Sequence, residues 1–205
     1  MNSTTQGRRA SRLLPLLLAL TPLFGAGCAS TSAGNDVFEA GLKKAEAGDV
    51  NGAIETLTQG AQEYPGHVPM RFELARLQYE VGESYHVKER KAIRDAARFL
   101  EQPDGREEAL ANQRKANELR AKATPYYQAA RDNLDYVRDR EGDDHRAGWA
   151  NLLLMRVNLF FADYEAAAED MQRAIELMKP TGPQLAQWRE FQAGIREKIG
   201  KRLSY

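Results

Sequence analysis

Residues 40–65 read AGLKKAEAGDVNGAIETLTQGAQEYP and carry the strongest structural signal in the chain. They hold two short amphipathic patterns that are joined at Gly48-Asp49 and end before Pro65. In each pattern, small and apolar residues recur three or four positions apart, which places them on one helical face. Small residues on such a face let two helices approach closely. The stretch therefore predicts a tight antiparallel pair of helices.

With Gly34 as the first position, the same residues resemble a tetratricopeptide repeat, a helix-turn-helix unit of about 34 residues. Lys44 replaces the tyrosine that the family prefers, and Gly60 replaces its alanine. The resemblance implies an all-α repeat array that serves as a binding scaffold. The small, packing and helix-stopping positions of the family match Ala40, Gly41, Ala53, Leu57 and Pro65.

The spacing of small turn residues extends this pattern along the chain. Gly48 and Gly82 lie 34 positions apart, and a helix opened by Pro69 is predicted to end at Gly82. Ala162 occupies the equivalent place in a later pair of helices, 80 positions after Gly82. That distance fits one degenerate repeat with an insertion. We therefore predict about three to four repeats in a TPR-like solenoid.

Residues 83–124 break the repeat register. Ile93, Ala96, Ala97 and Leu100 predict a helix with a buried apolar stripe, and residues 103–105 predict a turn.

The following segment, residues 106–122, favours a helix that is charged on most sides, so it projects into solvent or meets a partner. Thr124 and Pro125 predict an N-cap and the first residue of a new helix. Residues 83–124 are thus expected to be degenerate or inserted helices.

The other helical patterns are bounded by caps and turns. Helix N-caps are expected at Asn35 or Asp36 and at Asp143 or Asp144. The last helix is predicted to cap the array rather than lie on a membrane surface, with Leu185, Trp188, Phe191 and Ile195 on its packing face. The corresponding helices are expected over residues 36–47, 50–63, 125–142, 148–161, 164–178 and 184–203.

Composition restricts the classes of partner. Three of the 29 basic residues but none of the 29 acidic residues lie in residues 1–27, so the rest of the chain has a formal net charge of −3. Nucleic acid requires a basic face, and anionic lipid attracts a polybasic patch. Neither is expected to be the main partner of the single helical domain predicted over residues 36–205.

Residues 1–27 have the pattern of an export signal. Arg8, Arg9 and Arg12 precede an apolar run over residues 13–24, which is short for a membrane span. Small residues follow at positions 25–27. The pair Arg8-Arg9 also allows a twin-arginine signal, although Ser11 and Arg12 occupy positions where that motif has apolar residues.

Cys28 is the only cysteine in the chain and directly follows this segment. Its position resembles the lipobox of bacterial lipoproteins, in which this cysteine becomes the acylated first residue; Gly25 departs from the aliphatic residue usual in that motif. An ordinary secretory signal is the alternative. The resemblance implies palmitate-type lipidation of Cys28, and Ala29 implies sorting to the outer membrane. Residues 28–35 then form a flexible tether.

No pattern in the sequence indicates catalysis. His67, His86 and His145 lack a metal-ligand spacing, and no nucleophile or phosphate-loop motif is present. Asp143, Asp144 and His145 could bind a cation but are also explained as a helix-capping turn. We therefore expect a non-enzyme without a cofactor or metal.

The family resemblance also implies a binding face. Tetratricopeptide arrays line their concave side with the first helix of each repeat, and aromatic residues interspersed with arginines suit a peptide segment or a carboxylate. The candidate partner-binding residues are Phe38, Leu42, Phe72, Arg76, Tyr79, Trp149, Arg156 and Phe160. For Phe38, Leu42 and Phe160, a position in the helix-packing core is the alternative.

Two functions from different classes fit these expectations. The first is an outer-membrane lipoprotein adaptor, facing the periplasm, that binds envelope proteins and assists the assembly or stability of a cell-envelope complex. The alternative is a small-ligand-binding accessory lipoprotein of a solute transporter, which would use a pocket instead of a groove.

Overall fold

The computed structural model describes residues 34–141 and 145–202, which form seven α-helices and no strand. The all-α prediction is confirmed for these residues. None of these helices combines the length and the apolar character needed to cross a membrane. The helices are α1 (Asn35–Glu46), α2 (Val50–Glu63), α3 (Val68–Leu100), α4 (Arg106–Glu141), α5 (His145–Phe160), α6 (Tyr164–Met178) and α7 (Gly182–Arg202).

Several predictions fall outside the described residues. These are the export signal over residues 1–27, the lipidation of Cys28, nearly all of the tether, and the caps at Asp143 and Asp144. At the end of the predicted tether, Asn35 is the first residue of α1, and Gly34 is its N-cap. The side-chain oxygen of Asn35 lies 3.0 Å from Nε2 of His67, so this residue is held against the start of α3.

Two short helical hairpins, α1–α2 and α5–α6, share one turn geometry. Gly48 has a φ of 81° and Ala162 a φ of 58°, both in the left-handed region. The aspartate that follows caps the next helix: Asp49 accepts from the backbone N–H of Gly52 at 3.0 Å, and Asp163 accepts from that of Ala166 at 3.2 Å. The predicted bounds of α2 and α6 are confirmed.

The predicted helix end at Gly82 is wrong, because α3 runs without a break from Val68 to Leu100. Gly48 and Ala162 are each followed by an aspartate that caps the next helix, whereas Gly82 is followed by Glu83. Its carboxylate instead accepts a hydrogen bond from the Tyr127 hydroxyl at 2.7 Å. A Cβ atom at Gly82 would lie 3.3 Å from the Tyr127 ring, so this glycine serves close helix packing instead of a turn.

The predicted helix start at Thr124-Pro125 is also wrong. Both residues lie inside α4, which is continuous from Arg106 to Glu141. The Thr124 hydroxyl donates to the backbone carbonyl of Arg120 at 2.8 Å, within the helix, and does not cap a new one. Pro125 is exposed, and the residues on either side of it that face α3, Ala123 and Tyr127, are fully buried. Packing on α3 therefore outweighs the local helix-breaking effect of proline.

Helices α3 and α4 form one long antiparallel hairpin. Three side-chain contacts set its register: Gln78 with Asn133 at 3.2 Å, Glu83 with Tyr127 at 2.7 Å, and Glu89 with Arg120 at 3.2 Å. By helical rise, each helix is about 50 Å long. Both helices place mostly small residues in the seam at seven-residue spacing, as in a coiled coil. These buried residues are Ala75, Gly82, Glu89 and Ala96 in α3, and Ala109, Ala116, Ala123, Ala130 and Val137 in α4.

This hairpin replaces the degenerate inserted repeat that the spacing predicts. The described residues contain three helical hairpins, and the middle one is lengthened in both of its helices. The predicted buried stripe is mostly wrong: Ala96 is buried, but Ile93 is 44 % and Leu100 is 68 % exposed. The predicted helix over residues 106–122 is the first half of α4, and most of its residues are exposed as predicted. Only Ala109 and Ala116 in this stretch are buried, and they pack in the seam.

The C-terminal helix α7 packs on the α5–α6 hairpin. Ile195 is buried with Met155 and Met171, and Trp188 packs against the same cluster. Phe191, which was predicted to pack there, is 47 % exposed. Gln192 is buried in its place and donates to the side-chain carbonyl of Gln172 at 3.0 Å.

Candidate partner-binding face

The eight candidate residues lie on three helices. Phe38 and Leu42 belong to α1, the next three to α3, and the last three to α5. Two of the candidates make contact between α3 and α5: an Arg156 guanidinium N–H donates to the Tyr79 hydroxyl oxygen at 3.4 Å. Tyr79 and Arg156 therefore form the centre of the candidate face.

Arg156 is exposed and has no carboxylate within 4.0 Å among the described residues. The Tyr79 hydroxyl, which accepts a hydrogen bond from Arg156, is uncharged. Burial raises the pKa of Tyr79, so the hydroxyl keeps its proton at neutral pH. A ligand carboxylate could receive hydrogen bonds from both the guanidinium and this hydroxyl.

Arg76 lies on the same helix as Tyr79, one turn earlier, but its charge is already balanced. Its guanidinium forms ion pairs with Glu73 and with Glu80. These carboxylates also raise the pKa of Arg76, and the largest cause is the hydrogen bonding that Arg76 donates to Glu73. Arg76 is therefore a weaker candidate for an incoming anion than Arg156.

Phe160 belongs to the core, not to the binding face. It is 5 % exposed, and its ring centroid lies 4.3 Å from that of Tyr127 and 5.2 Å from that of His86. The guanidinium of Arg120 covers the same ring, 4.6 Å from its centroid. Phe160 therefore fixes the end of α5 against the long hairpin.

The remaining aromatic and apolar candidates are half-buried. Phe38 packs in the α1–α2–α3 core with its ring centroid 5.3 Å from that of His67, and Phe72 packs on the core cluster of the long hairpin. Trp149 lies near the exposed His145, with 6.2 Å between ring centroids. Leu42 is half-buried on α1. These half-buried side chains can border a groove.

A polar junction that the repeat pattern did not indicate joins α3, α4 and α5. Glu89 is only 3 % exposed and accepts from Arg120 at 3.2 Å, with His86 Nδ1 at 2.8 Å from its other oxygen. Arg120 also donates to the last carbonyl of α5, on Phe160, at 2.9 Å. The seven-residue row containing Glu89 is the sequence signal that could have placed it in the seam.

A second buried polar pair lies between α5 and α6. Asn158 donates to Asp170 at 2.7 Å, and its own amide oxygen has no hydrogen-bond partner among the residues that the structure describes. Burial raises the pKa of Asp170 to about 6, and Arg138, at 3.9 Å from the carboxylate, only partly offsets that effect. The pair lies inside the packing of the hairpins, so it concerns stability and not ligand access.

An open cleft beside α7 is a different kind of site. It has a volume of about 500 Å³, which is within the range of small-molecule pockets. Its apolar wall and its charged rim come from α5, α6 and α7. The lining residues are Leu159, Tyr164, Gln187, Glu190, Phe191, Gly194, Ile195 and Lys198.

Within residues 34–141 and 145–202, no three metal-ligating side chains of histidine, cysteine, aspartate or glutamate converge. Of the sequence candidates for a cation site, His145 is exposed at the start of α5. The other two, Asp143 and Asp144, lie outside the described residues.

Comparisons with protein-family profiles, with curated proteins and with solved structures returned no match. Function is therefore inferred from the residues and contacts of the chain itself.

Proposed function

We propose that this protein is a membrane-anchored adaptor lipoprotein of the periplasm that holds a protein partner on its TPR-like helical hairpins. It has no catalytic role and assists the assembly or stability of a cell-envelope complex. The observation that carries the proposal is the exposed Arg156 guanidinium beside the protonated Tyr79 hydroxyl. This pair meets the requirement for binding a carboxylate on a protein segment.

The location follows from the N-terminal sequence. Arg8, Arg9 and Arg12, the apolar run after them and Cys28 have the order of a lipoprotein signal. Acylation of Cys28 would anchor the chain in the outer membrane, with residue 29 supporting that destination. The helical scaffold would then face the periplasm at the end of a short tether.

In-cell crosslinking of a tagged chain, followed by mass spectrometry of the membrane fraction, tests the proposal. We expect one envelope protein to be recovered reproducibly with the native chain. Arg156→Gln should abolish that recovery because it removes the charge while keeping most of the side-chain volume. Tyr79→Phe should weaken recovery, since the ring stays in the core and only the hydroxyl is lost.

Arg189→Gln is the matched control, because Arg189 is an exposed arginine on α7, away from Tyr79. It should leave recovery unchanged. Cys28→Ala should move the chain out of the membrane fraction. Equal recovery of the same protein by the native and Arg156→Gln chains would refute the role of this face, and a Cys28→Ala chain that stays in the membrane would refute the lipid anchor.

The cleft beside α7 favours a second candidate function, that of a small-ligand-binding accessory lipoprotein of a solute transporter. Its volume of about 500 Å³ and its apolar wall suit a small molecule. A saturable rise in melting temperature with a metabolite library, lost in Phe191→Asp, would favour this function over the adaptor. An unchanged melting temperature across the library would remove it.

A further inference from the structure

The face of the long hairpin that α5 covers continues beyond the end of α5. Tyr79, His86, Ile93 and Leu100 lie seven positions apart in α3 and therefore form one row on the helix. α5 covers the first two: Arg156 contacts Tyr79 at 3.4 Å, and the Phe160 ring lies 5.2 Å from that of His86. Phe160 is the last residue of α5.

Beyond that point the row is uncovered. Ile93 is 44 % and Leu100 is 68 % exposed, and Ala97, between them on the same side of α3, is exposed as well. We call Ile93, Ala97 and Leu100 the distal stripe. Because the stripe continues a surface on which a helix already packs, its geometry suits a second helix laid along the same line.

The charges beside the distal stripe are mostly basic. Residues 88–98 contain five basic and two acidic residues. Both acids are already paired, Glu89 with Arg120 at 3.2 Å and Asp95 with Lys91 at 2.6 Å. Two of the other basic residues also have a carboxylate nearby, Arg90 at 2.9 Å and Arg98 at 4.0 Å. Arg94, one helical turn before Ala97, has no carboxylate within 4.0 Å among the described residues. The flanks of a partner helix would therefore have to be acidic.

We propose that the distal stripe is a docking site for an acidic amphipathic helix of a partner protein. The apolar face of that helix would cover Ile93, Ala97 and Leu100, and its carboxylates would meet the basic residues beside them. This surface is separate from the Tyr79–Arg156 face, so the proposal goes beyond the function inferred above and can fail without it.

The same charges disfavour two other occupants. In a second copy of the chain, equally basic stripes would face each other and repel. The hairpin tip, residues 101–108, contains four acidic residues and one basic residue, which opposes contact with an extended anionic lipid surface. The carboxylates of the partner helix are therefore expected beside residues 88–98 and not beside the tip. An acidic helix is the occupant that satisfies both the apolar row and its flanks.

Fluorescence anisotropy with the full-length chain tests this proposal. The probe is a labelled helical peptide with leucine along one face and glutamate on its flanks, compared with the same peptide carrying lysine in place of glutamate. We expect saturable binding of the glutamate peptide and about ten-fold weaker binding of the lysine peptide. The Ile93→Gln/Leu100→Gln chain should bind the glutamate peptide at least about ten-fold more weakly.

Val87→Gln is the matched control, because Val87 is 48 % exposed on the same helix but lies outside the row. It should bind the glutamate peptide like the native chain. The proposal is overturned if the glutamate peptide does not bind, if both peptides bind equally, or if the double variant binds like the control. Stripe-dependent dimerisation in sedimentation experiments, or stripe-dependent binding to anionic vesicles, would also overturn it by identifying a different occupant.

Discussion

The short hairpins and the long hairpin of this protein begin with similar local sequence but turn at different places. At Gly48 and Ala162 the chain adopts a positive φ, and the aspartate that follows caps the next helix. At Gly82, one repeat length after Gly48, no cap follows, and α3 continues to Leu100. The difference shows that the cap, and not the count of residues, determines where this chain reverses.

Close packing between α3 and α4 stabilises the long hairpin, in which no cap ends α3 at Gly82. Small residues at seven-residue spacing let α3 and α4 approach closely along their whole length. At the centre of the hairpin, Tyr127 packs on Gly82 and lies against Phe160, and its hydroxyl donates a hydrogen bond to Glu83. The long hairpin is therefore stabilised by tertiary packing, whereas the short hairpins are defined by their turns.

The largest effect is expected at Tyr127. Tyr127→Ala removes a ring that is 1 % exposed and leaves a cavity between α3, α4 and α5, which should cost about 4 kcal/mol of unfolding free energy. Tyr127→Phe loses only the hydrogen bond to Glu83 and should cost about 1 kcal/mol. Urea unfolding followed by circular dichroism measures both values. A loss below about 1 kcal/mol for Tyr127→Ala would contradict the importance of this packing.

A smaller, pH-dependent effect on the free energy of unfolding is expected at Asp170, where α4 meets the α5–α6 hairpin. Because burial raises the pKa of Asp170 to about 6 from 3.8, the folded state holds its proton more tightly than the unfolded state. The stabilisation from Asp170 is thus full below about pH 4 and is lost as the pH rises through 6. The charged groups that act on it are Arg138, Arg131 and Asp135.

Asp170→Asn removes the charge but keeps an acceptor for Asn158. We expect it to stabilise the protein by about 1 to 3 kcal/mol at pH 7.5 and to flatten the pH dependence between 4 and 6. Unfolding free energies measured across pH 4 to 8 test this. Asp163→Asn, at the exposed cap of α6, is the control and should not flatten that slope; a destabilised Asp170→Asn chain at pH 7.5 would contradict the account.

The smallest effects are expected at the two turns, with opposite signs. Ala162→Gly should stabilise the protein by about 1 kcal/mol because an L-residue is strained at a φ of 58°. Gly48→Ala should destabilise it by a similar amount for the same reason, since nothing lies within 4 Å of a Cβ atom added there. Thermal unfolding of both variants checks the signs. Equal signs would show that the two turns are not equivalent.

Local signals predicted the short hairpins well. The turns at residues 48–49 and 162–163 predicted the starts of α2 and α6, and in the structure the aspartate of each turn caps the next helix. The same kind of reasoning failed at Gly82 and at Thr124-Pro125, where packing between α3 and α4 overrides the local preference of the backbone. The row of alanines from Ala109 to Ala130 was the available signal for that packing.

Less of the candidate site could be predicted. The family resemblance included both Tyr79 and Arg156, but their contact depends on how α5 crosses α3. The sequence left both a core and a binding position open for Phe160. It could not decide between them, because the neighbours Tyr127 and Arg120 come from a helix whose extent was not predicted. The ion pairs of Arg76 with Glu73 and Glu80 could have been predicted, because the three residues lie three and four positions apart on one helix.

The continuity of α3 through Gly82 is the central claim, and a distance across that glycine tests it most directly. Spin labels at positions 76 and 94, in a Cys28→Ser chain, lie 18 positions apart on one face. A continuous helix places the two backbone positions about 27 Å apart. Double electron–electron resonance should then give a narrow distribution of label-to-label distances near that value. A reversal at Gly82 would bring them to about 12 Å, and that result would contradict the account.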